Sequence, residues 1–302
     1  MTVIPDDFAH FIAAVFEEDG KIWLQRLPGL LVECERRWSL QIQAPFELSY
    51  NYVAPAMRAD GTEVVLKLGV PRDELLTEAD ALHHYAGRGS ARLIDADKAQ
   101  GIMLLERIRP GTMLVETEDD DQATAIAAGV MGQLWRPAPK EHSFPTVADW
   151  AKGMERLRAQ FNGGVGPYPK RLVEMAETLF RDLLASTDAQ VVCHGDLHHY
   201  NILASEAGHW VAIDPKGIIG EPAFEIYALL KNPGSVFDRP DYGPLLARRI
   251  DLLAEILGLD RRRLIGWGVA MAVLSSWWSY EDEGANWQPV LRCADLLAAM
   301  LD

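Results

Sequence analysis

Cysteine is scarce in this chain of 302 residues: Cys34, Cys193 and Cys293 make an odd set with no pairing pattern. That excludes a disulfide framework and suits a reducing compartment, with Cys193 expected as a small buried apolar residue and not a nucleophile. Long apolar runs are missing too. The longest uncharged one, Gly266 to Trp278, is too short and too punctuated by glycine and serine to span a bilayer. Asp6, Asp7, Glu17 and Glu18 open the chain with no basic region before an apolar run, so no secretory signal is expected. Positive charge is in deficit, 29 Lys and Arg against 44 Asp and Glu, a net charge of −15. This argues against nucleic acid and against anionic membranes as partners. There is no internal repeat, low-complexity tract or long linker. What remains is a cytoplasmic globular protein, 49% hydrophobic and 24% charged, long enough to bury the cores of two lobes.

One stretch carries most of the chemistry: Val191-Val192-Cys193-His194-Gly195-Asp196-Leu197-His198-His199-Tyr200-Asn201-Ile202-Leu203, followed by Ile213-Asp214-Pro215. An Asp, an Asn five residues on, and a second Asp closing a hydrophobic strand have the spacing of a kinase catalytic loop and its metal site. Asp196 would accept the proton of an attacking hydroxyl, while Asn201 and Asp214 would hold Mg²⁺ at the nucleotide phosphates. Any one of the three is commonplace in a loop, since Gly and Asp form turns. The three at matching offsets, with a strand before and a hairpin between, are specific. His194, Asp196, His198 and His199 also admit a metallohydrolase reading, which needs further ligands from distant loops where only His209 lies downstream.

A phosphoryl-transfer site also needs a strand lysine for the phosphates and a helix carboxylate to hold it. Lys67 ends the β-branched run Glu63-Val64-Val65-Leu66-Lys67-Leu68, and Glu78 lies near the apolar edge of the helix expected over Arg72 to Ala86, with Glu74 the competitor. The hairpin before Lys67 lacks a glycine-rich pattern. Ser49, Tyr50 and Asn51 would have to contact phosphates by hydroxyl, amide and backbone N–H. A second hairpin, Ala91 to Ala96 and Gly101 to Glu106, ends where backbone groups of Glu106 to Ile108 would hold a base.

The ordered series Tyr50-Asn51-Tyr52-Val53-Ala54-Pro55-Ala56, Val65-Leu66-Lys67-Leu68-Gly69-Val70-Pro71, Gly87-Arg88-Gly89, Leu104-Leu105-Glu106-Arg107, His194-Gly195-Asp196-Leu197-His198-His199, Ile213-Asp214-Pro215-Lys216-Gly217 and Gly220-Glu221-Pro222-Ala223 resembles the aminoglycoside phosphotransferases. More narrowly, it is similar to their streptomycin 6-phosphotransferase and hydroxyurea phosphotransferase branch. The resemblance implies an α+β, protein-kinase-like two-lobed fold with a small strand-rich N-lobe and a larger helical C-lobe. It also implies ATP or GTP with Mg²⁺ and phosphorylation of an antibiotic hydroxyl. Two departures stand out: Tyr200 where the branch commonly has a small residue, and Glu225 where an Asp would brace the catalytic loop.

The distribution of acids suggests a cationic acceptor. Glu221 and Glu225 follow the catalytic segment, and Glu281-Asp282-Glu283 ends a Trp-rich helix whose C-terminal dipole they oppose. A guanidinium sugar would need carboxylates and an aromatic face in one cleft. Asp196, His198, Glu221, Trp278, Glu281, Asp282 and Glu283 are therefore the expected acceptor residues. The other acidic run, Glu116 to Asp121, is read as the cap of the next helix. The expected organisation is an N-terminal nucleotide lobe, 1–107, with helices over 5–40, and a helical catalytic lobe, 108–302, sharing a cleft. Helices are predicted near 120–135, 146–161, 170–186, 222–231, 243–257, 261–279 and 287–301. A monomer or weak dimer is expected. Streptomycin leads as acceptor, hydroxyurea or another small hydroxylated metabolite is the alternative, and intact Lys67, Asp196, Asn201 and Asp214 weigh against a regulatory pseudokinase.

Overall fold

The alternation of Glu63–Leu68 organises the first part of the molecule. The structure, a computed structural model, describes residues 4–206, 208–283 and 287–301, which fall into two compact units meeting at Arg109 and Pro110. In the first unit, α1 (Asp6–Val15) and α2 (Glu17–Trp38) precede β1 (Leu40–Ile42), β2 (Tyr52–Arg58), β3 (Glu63–Leu68), α3 (Asp73–Tyr85), β4 (Leu93–Asp97) and β5 (Ile102–Glu106). The strands pair antiparallel in the order β1-β2-β3-β5-β4. Val64, Leu66 and Leu68 of β3 enter a core with Tyr52 and Ala54 of β2 and with Phe8, Ile12, Trp23 and Leu27 of the first two helices. Val65 instead packs with Leu75, Ala79 and Leu82 of α3. Because side chains alternate along a strand, Lys67 shares the α3 side with Val65.

The second unit starts at β6 (Pro110–Met113), followed by α4 (Asp120–Leu134), α5 (Val147–Ala151), α6 (Gly153–Gln160) and α7 (Lys170–Ala185). Next come β7 (Val191–Cys193), β8 (Ile202–Ser205), β9 (Trp210–Ala212) and β10 (Ile218–Gly220), then α8 (Tyr227–Leu230), α9 (Tyr242–Leu257), α10 (Arg261–Glu283) and α11 (Trp287–Ala298). β7 pairs with β10, and β6-β8-β9 form a separate small sheet. Between its charged ends α10 is apolar on all sides, as expected of a helix buried all round, and Leu264 to Leu274 lie in the core. No helix among the described residues is long and apolar enough to cross a membrane.

Some predicted elements change form. The helix expected over 146–161 is two: Thr146 caps α5 through Asp149 N–H, and α6 begins at Gly153, packed against Leu274 of α10. The helix expected over 222–231 opens as a 3₁₀ segment, Pro222–Ile226, before α8, and α10 runs four residues past its expected end to Glu283. The acidic run behaves as a cap: Asp119 accepts from Asp121 and Gln122 N–H at 2.9 and 3.1 Å. Asp120 meanwhile pairs with the buried Arg249. All three cysteines are free and buried.

Candidate active site

The loop from β7 to β8 is held by residues on both sides of it. His194 is fully buried, and its Nε2 donates to Ile213 O at 2.8 Å while Nδ1 accepts from Asp196 N–H at 3.3 Å. A carbonyl only accepts, so these two bonds fix the neutral Nε2–H tautomer. Burial agrees, holding the imidazole down at about 4. Gly195 has φ +82°, and a Cβ there would lie 3.1–3.3 Å from Ile218, Trp150 and Lys216. Glu225 spans from the 3₁₀ segment to the loop and accepts from His194 N–H at 2.6 Å and Gly195 N–H at 2.8 Å. The longer side chain therefore reaches. Burial pushes its carboxyl up to about 7, against the two N–H bonds that favour the anion.

These bonds bring the sequence-predicted residues of this loop together. Asn201 Nδ2 donates to Asp196 O at 3.0 Å, which turns Oδ1 away as a free-standing oxygen donor. Asn201 O accepts from Ile213 N–H at 2.9 Å, and His194 O accepts from Lys216 N–H at 2.8 Å, so Asp214 is fixed from both sides. Asp214 adopts φ +58°, a left-handed conformation rare outside glycine and typical of strained functional positions. His198 Nδ1 accepts from Tyr200 N–H at 3.2 Å, and its Nε2 stands 3.5 Å from Asn201 Nδ2 and 3.7 Å from Asp196 Oδ2. Burial lowers the His198 pKa first of all, and the nearby Asp196 carboxylate opposes that shift. Tyr200 stands edge-on to His198 with ring centroids 5.8 Å apart, and is 42% exposed.

Within the first unit, Lys67 Nζ meets Glu78 Oε1 at 2.7 Å with both side chains buried, whereas Glu74 O accepts from the Thr77 hydroxyl. Ser49, Tyr50 and Asn51 lie in the connection between β1 and β2. The Tyr50 ring packs edge-on to Phe11 and Phe16, and Asn51 Oδ1 rests on Gly69. Glu106 N–H donates to Arg92 O at 3.0 Å and its carboxylate accepts from Arg92 N–H at 2.8 Å, so the group this residue can offer a base is its backbone carbonyl. Ile108, half-buried beyond β5, follows two residues on with its own backbone N–H.

The acceptor set divides. Glu221 is buried: both carboxylate oxygens accept from Arg263 Nε at 2.7–2.8 Å and one from the Trp267 indole, so it braces α10 and is no ligand carboxylate. Glu281 forms a two-pronged pair with Arg156 of α6 at 2.9 and 3.0 Å, which answers the dipole argument for that residue without a ligand. The pair borders an open cavity of about 550 Å³, also lined by Gln160, Trp277 and Tyr280. Asp282 is exposed, and the side chain of Glu283 lies outside the described residues. Trp278 is half-buried and meets Trp150 of α5 in a T-shaped contact at 5.2 Å. Trp150, which no sequence motif marks, carries this aromatic pair to Gly195 of the catalytic loop. The metallohydrolase reading finds no support, because no three His, Cys, Asp or Glu among the described residues cluster as metal ligands. His194 is committed to Ile213 O, and His199 is buried near Arg249 with its pKa lowered to about 4 by that burial. Burial likewise raises the Cys193 thiol well above its ordinary value, as expected of an inert core residue.

Compared with known proteins, residues 37–283 match the family described as aminoglycoside/hydroxyurea antibiotic resistance kinase. A streptomycin 6-kinase of Streptomyces glaucescens is 34% identical over 290 residues, 95% of this chain and 94% of its own. A hydroxyurea phosphotransferase of Kitasatospora aureofaciens is 34% identical over 273 residues, 87% of this chain and 76% of its own. Among solved structures, choline kinase LicA from Streptococcus pneumoniae matches with a TM-score of 0.61, 14% identity, and coverage of 91% of this chain and 99% of its own. The fold is thus protein-kinase-like, with a strand-rich first unit and a helical second one.

Proposed function

Because the chain belongs to the aminoglycoside/hydroxyurea antibiotic resistance kinase family, we propose that it transfers the terminal phosphoryl group of ATP to a hydroxyl of an aminocyclitol antibiotic, with streptomycin as the leading acceptor. The observation that carries the chemistry is the closed set of bonds around Asp196, Asn201 and Asp214. Asp196 is the base. Its N–H is anchored on His194, its carbonyl on Asn201, and its carboxylate is left half-exposed to receive a hydroxyl proton. His198 Nε2 lies 3.7 Å from that carboxylate, and burial, which lowers the His198 pKa, keeps the ring from competing for the proton.

Asn201 Oδ1 and the Asp214 carboxylate are hard oxygen donors on one hairpin, a set that fits Mg²⁺. Bound there, Mg²⁺ would neutralise charge on the nucleotide phosphates. Lys67, held by Glu78, is assigned to the nucleotide phosphates, and the backbone of Glu106 to Ile108 to the base. GTP is the alternative nucleotide. On the acceptor side, Trp278 and Trp150 offer ring faces and Asp282 a carboxylate for a cation, which is consistent with guanidinium groups.

Hydroxyurea is the second reading, favoured by the 34% identity to a hydroxyurea phosphotransferase. Nucleotide turnover with streptomycin, other aminoglycosides, hydroxyurea and small amino alcohols separates the two. Streptomycin-dependent release of ADP with a phosphorylated product is the expected result; turnover with hydroxyurea alone would transfer the assignment to that substrate. Turnover with no acceptor in the panel would sink both.

A further inference from the structure

Most of the catalytic loop is turned inward. Between Asp196 and Asn201, Leu197 and His199 are buried and His198 is half-buried, whereas Tyr200 leaves a large ring exposed. The loop does not need that ring for its shape. Asn201 N–H donates to His198 O at 2.9 Å and Tyr200 N–H to His198 Nδ1 at 3.2 Å, so the turn is closed without the Tyr200 side chain. Its hydroxyl has no hydrogen bond among the described residues. The ring is nonetheless fixed relative to the base: it stands at 81° to the His198 imidazole with centroids 5.8 Å apart, and the same imidazole places Nε2 3.7 Å from Asp196 Oδ2. One side chain separates an exposed aromatic ring from the group assigned to take the hydroxyl proton. Exposed apolar surface continues beside it. β6 pairs with β8 so that Met113 lies opposite Leu203, and Val115 N–H donates to His199 O at 3.1 Å. Along these two segments Leu114, His199 and Ile202 are buried, while Met113, like Tyr200, is exposed.

We propose that Tyr200 is a specificity-determining residue for the acceptor: its ring packs against the C–H face of a saturated ring that bears the reacting hydroxyl, and so favours aminocyclitols over small acyclic acceptors. The inference rests on the phosphotransferase reading of Asp196. An acceptor has to bring its hydroxyl to the Asp196 carboxylate, and the part of the molecule next to that hydroxyl then lies beside the Tyr200 and Met113 surface. Apolar surface left in water is stabilised by whatever covers it. A cyclitol with equatorial substituents presents C–H bonds on both faces, and the negative face of an aromatic ring attracts those hydrogens and any guanidinium attached nearby. Hydroxyurea has no C–H bond and offers no such face. A tyrosine present only to hold the loop would spend its hydroxyl or bury its ring, and Tyr200 does neither.

The test compares the parent with Tyr200→Phe, which keeps the ring, and Tyr200→Ser, which removes it, in steady-state kinetics with Mg-ATP and either streptomycin or hydroxyurea. Tyr200→Ser is expected to raise the streptomycin KM by about tenfold, with kcat and the ATP KM within about two-fold of the parent. Tyr200→Phe should match the parent, and any turnover of hydroxyurea should show the same KM in all three proteins. An unmoved streptomycin KM in Tyr200→Ser would overturn the proposal. So would a rise that Tyr200→Phe shares, because the hydroxyl and not the ring would then make the contact. Losses spread over kcat and the ATP KM would assign the ring to holding the loop, which overturns it as well. If the parent turns over hydroxyurea alone, the proposal falls and Asp196 keeps its role as base; if the parent turns over neither acceptor, the aminocyclitol assignment falls and the proposal falls with it.

Discussion

Lys67 and Asp196 are both charged groups at the end of a hydrophobic strand, yet the protein treats them in opposite ways. Lys67 is buried and its charge is met by a carboxylate, Glu78, at 2.7 Å. Asp196 is held through its backbone, by an imidazole on its N–H and an amide on its carbonyl, and its carboxylate stays half-exposed. The first arrangement ties charge to stability, because truncating one member of a buried pair is costly. The second separates them: the loop is kept by Glu225, His194 and Asn201, and the carboxylate proposed as the base bears little of the fold.

The contrast is sharpest for Asp196→Asn, which should cut turnover by about 10²–10⁴-fold while the melting temperature stays with that of the parent. A large drop in melting temperature would show that the carboxylate also holds the loop. Glu78→Gln should do the reverse in kind, costing about 3–5 kcal/mol of unfolding free energy in a denaturant titration. A Glu78→Gln protein as stable as the parent would break the comparison.

Glu225 lies between the extremes, and its effect depends on pH. In the folded chain it keeps its proton up to about 7, against an ordinary value of 4.5. Folding therefore takes up a proton in that window, and the stabilisation, complete below pH 4.5, declines as pH rises through about 7. The decline between pH 4.5 and 8 should amount to roughly 3 kcal/mol and vanish in Glu225→Gln. Equal slopes for both proteins in unfolding experiments across that range would rule the group out. The smallest effects belong to the end of α10. Glu281→Gln, losing an exposed pair with Arg156, should change stability by less than about 1 kcal/mol. Asp282→Asn should raise the streptomycin KM roughly tenfold and leave the ATP KM alone, the loss of one charge-assisted contact. An unmoved acceptor KM in Asp282→Asn would free the last turn from any role in recognition.

Local chemistry made the strands, the lysine and the loop legible before any coordinates. Lys67 follows from an alternation that leaves a cation on an apolar strand, and Glu78 from helical spacing along α3. Tertiary pairing is what hid the rest. Glu221 and Glu281 read as ligand carboxylates because their partners, Arg263 and Arg156, lie 42 and 125 residues away in sequence. Trp150 reaches Gly195 only through the packing of α5, and nothing in its own surroundings in the sequence marks it. The 3₁₀ winding at Pro222–Ile226 was hidden by a pattern that serves either helix.

The two ends of α10 also set an evolutionary direction. Arg263 and Trp267, near its start, grip Glu221, four residues before the Glu225 that holds the catalytic loop. Heritable changes there disturb chemistry and folding together and are purged quickly. Trp278 to Asp282, at the far end, touch solvent and the aromatic corner instead. Substitutions in that last turn therefore cost the fold little, and if the acceptor binds there as proposed, the range of accepted molecules can shift from that end while the catalytic loop stays unchanged.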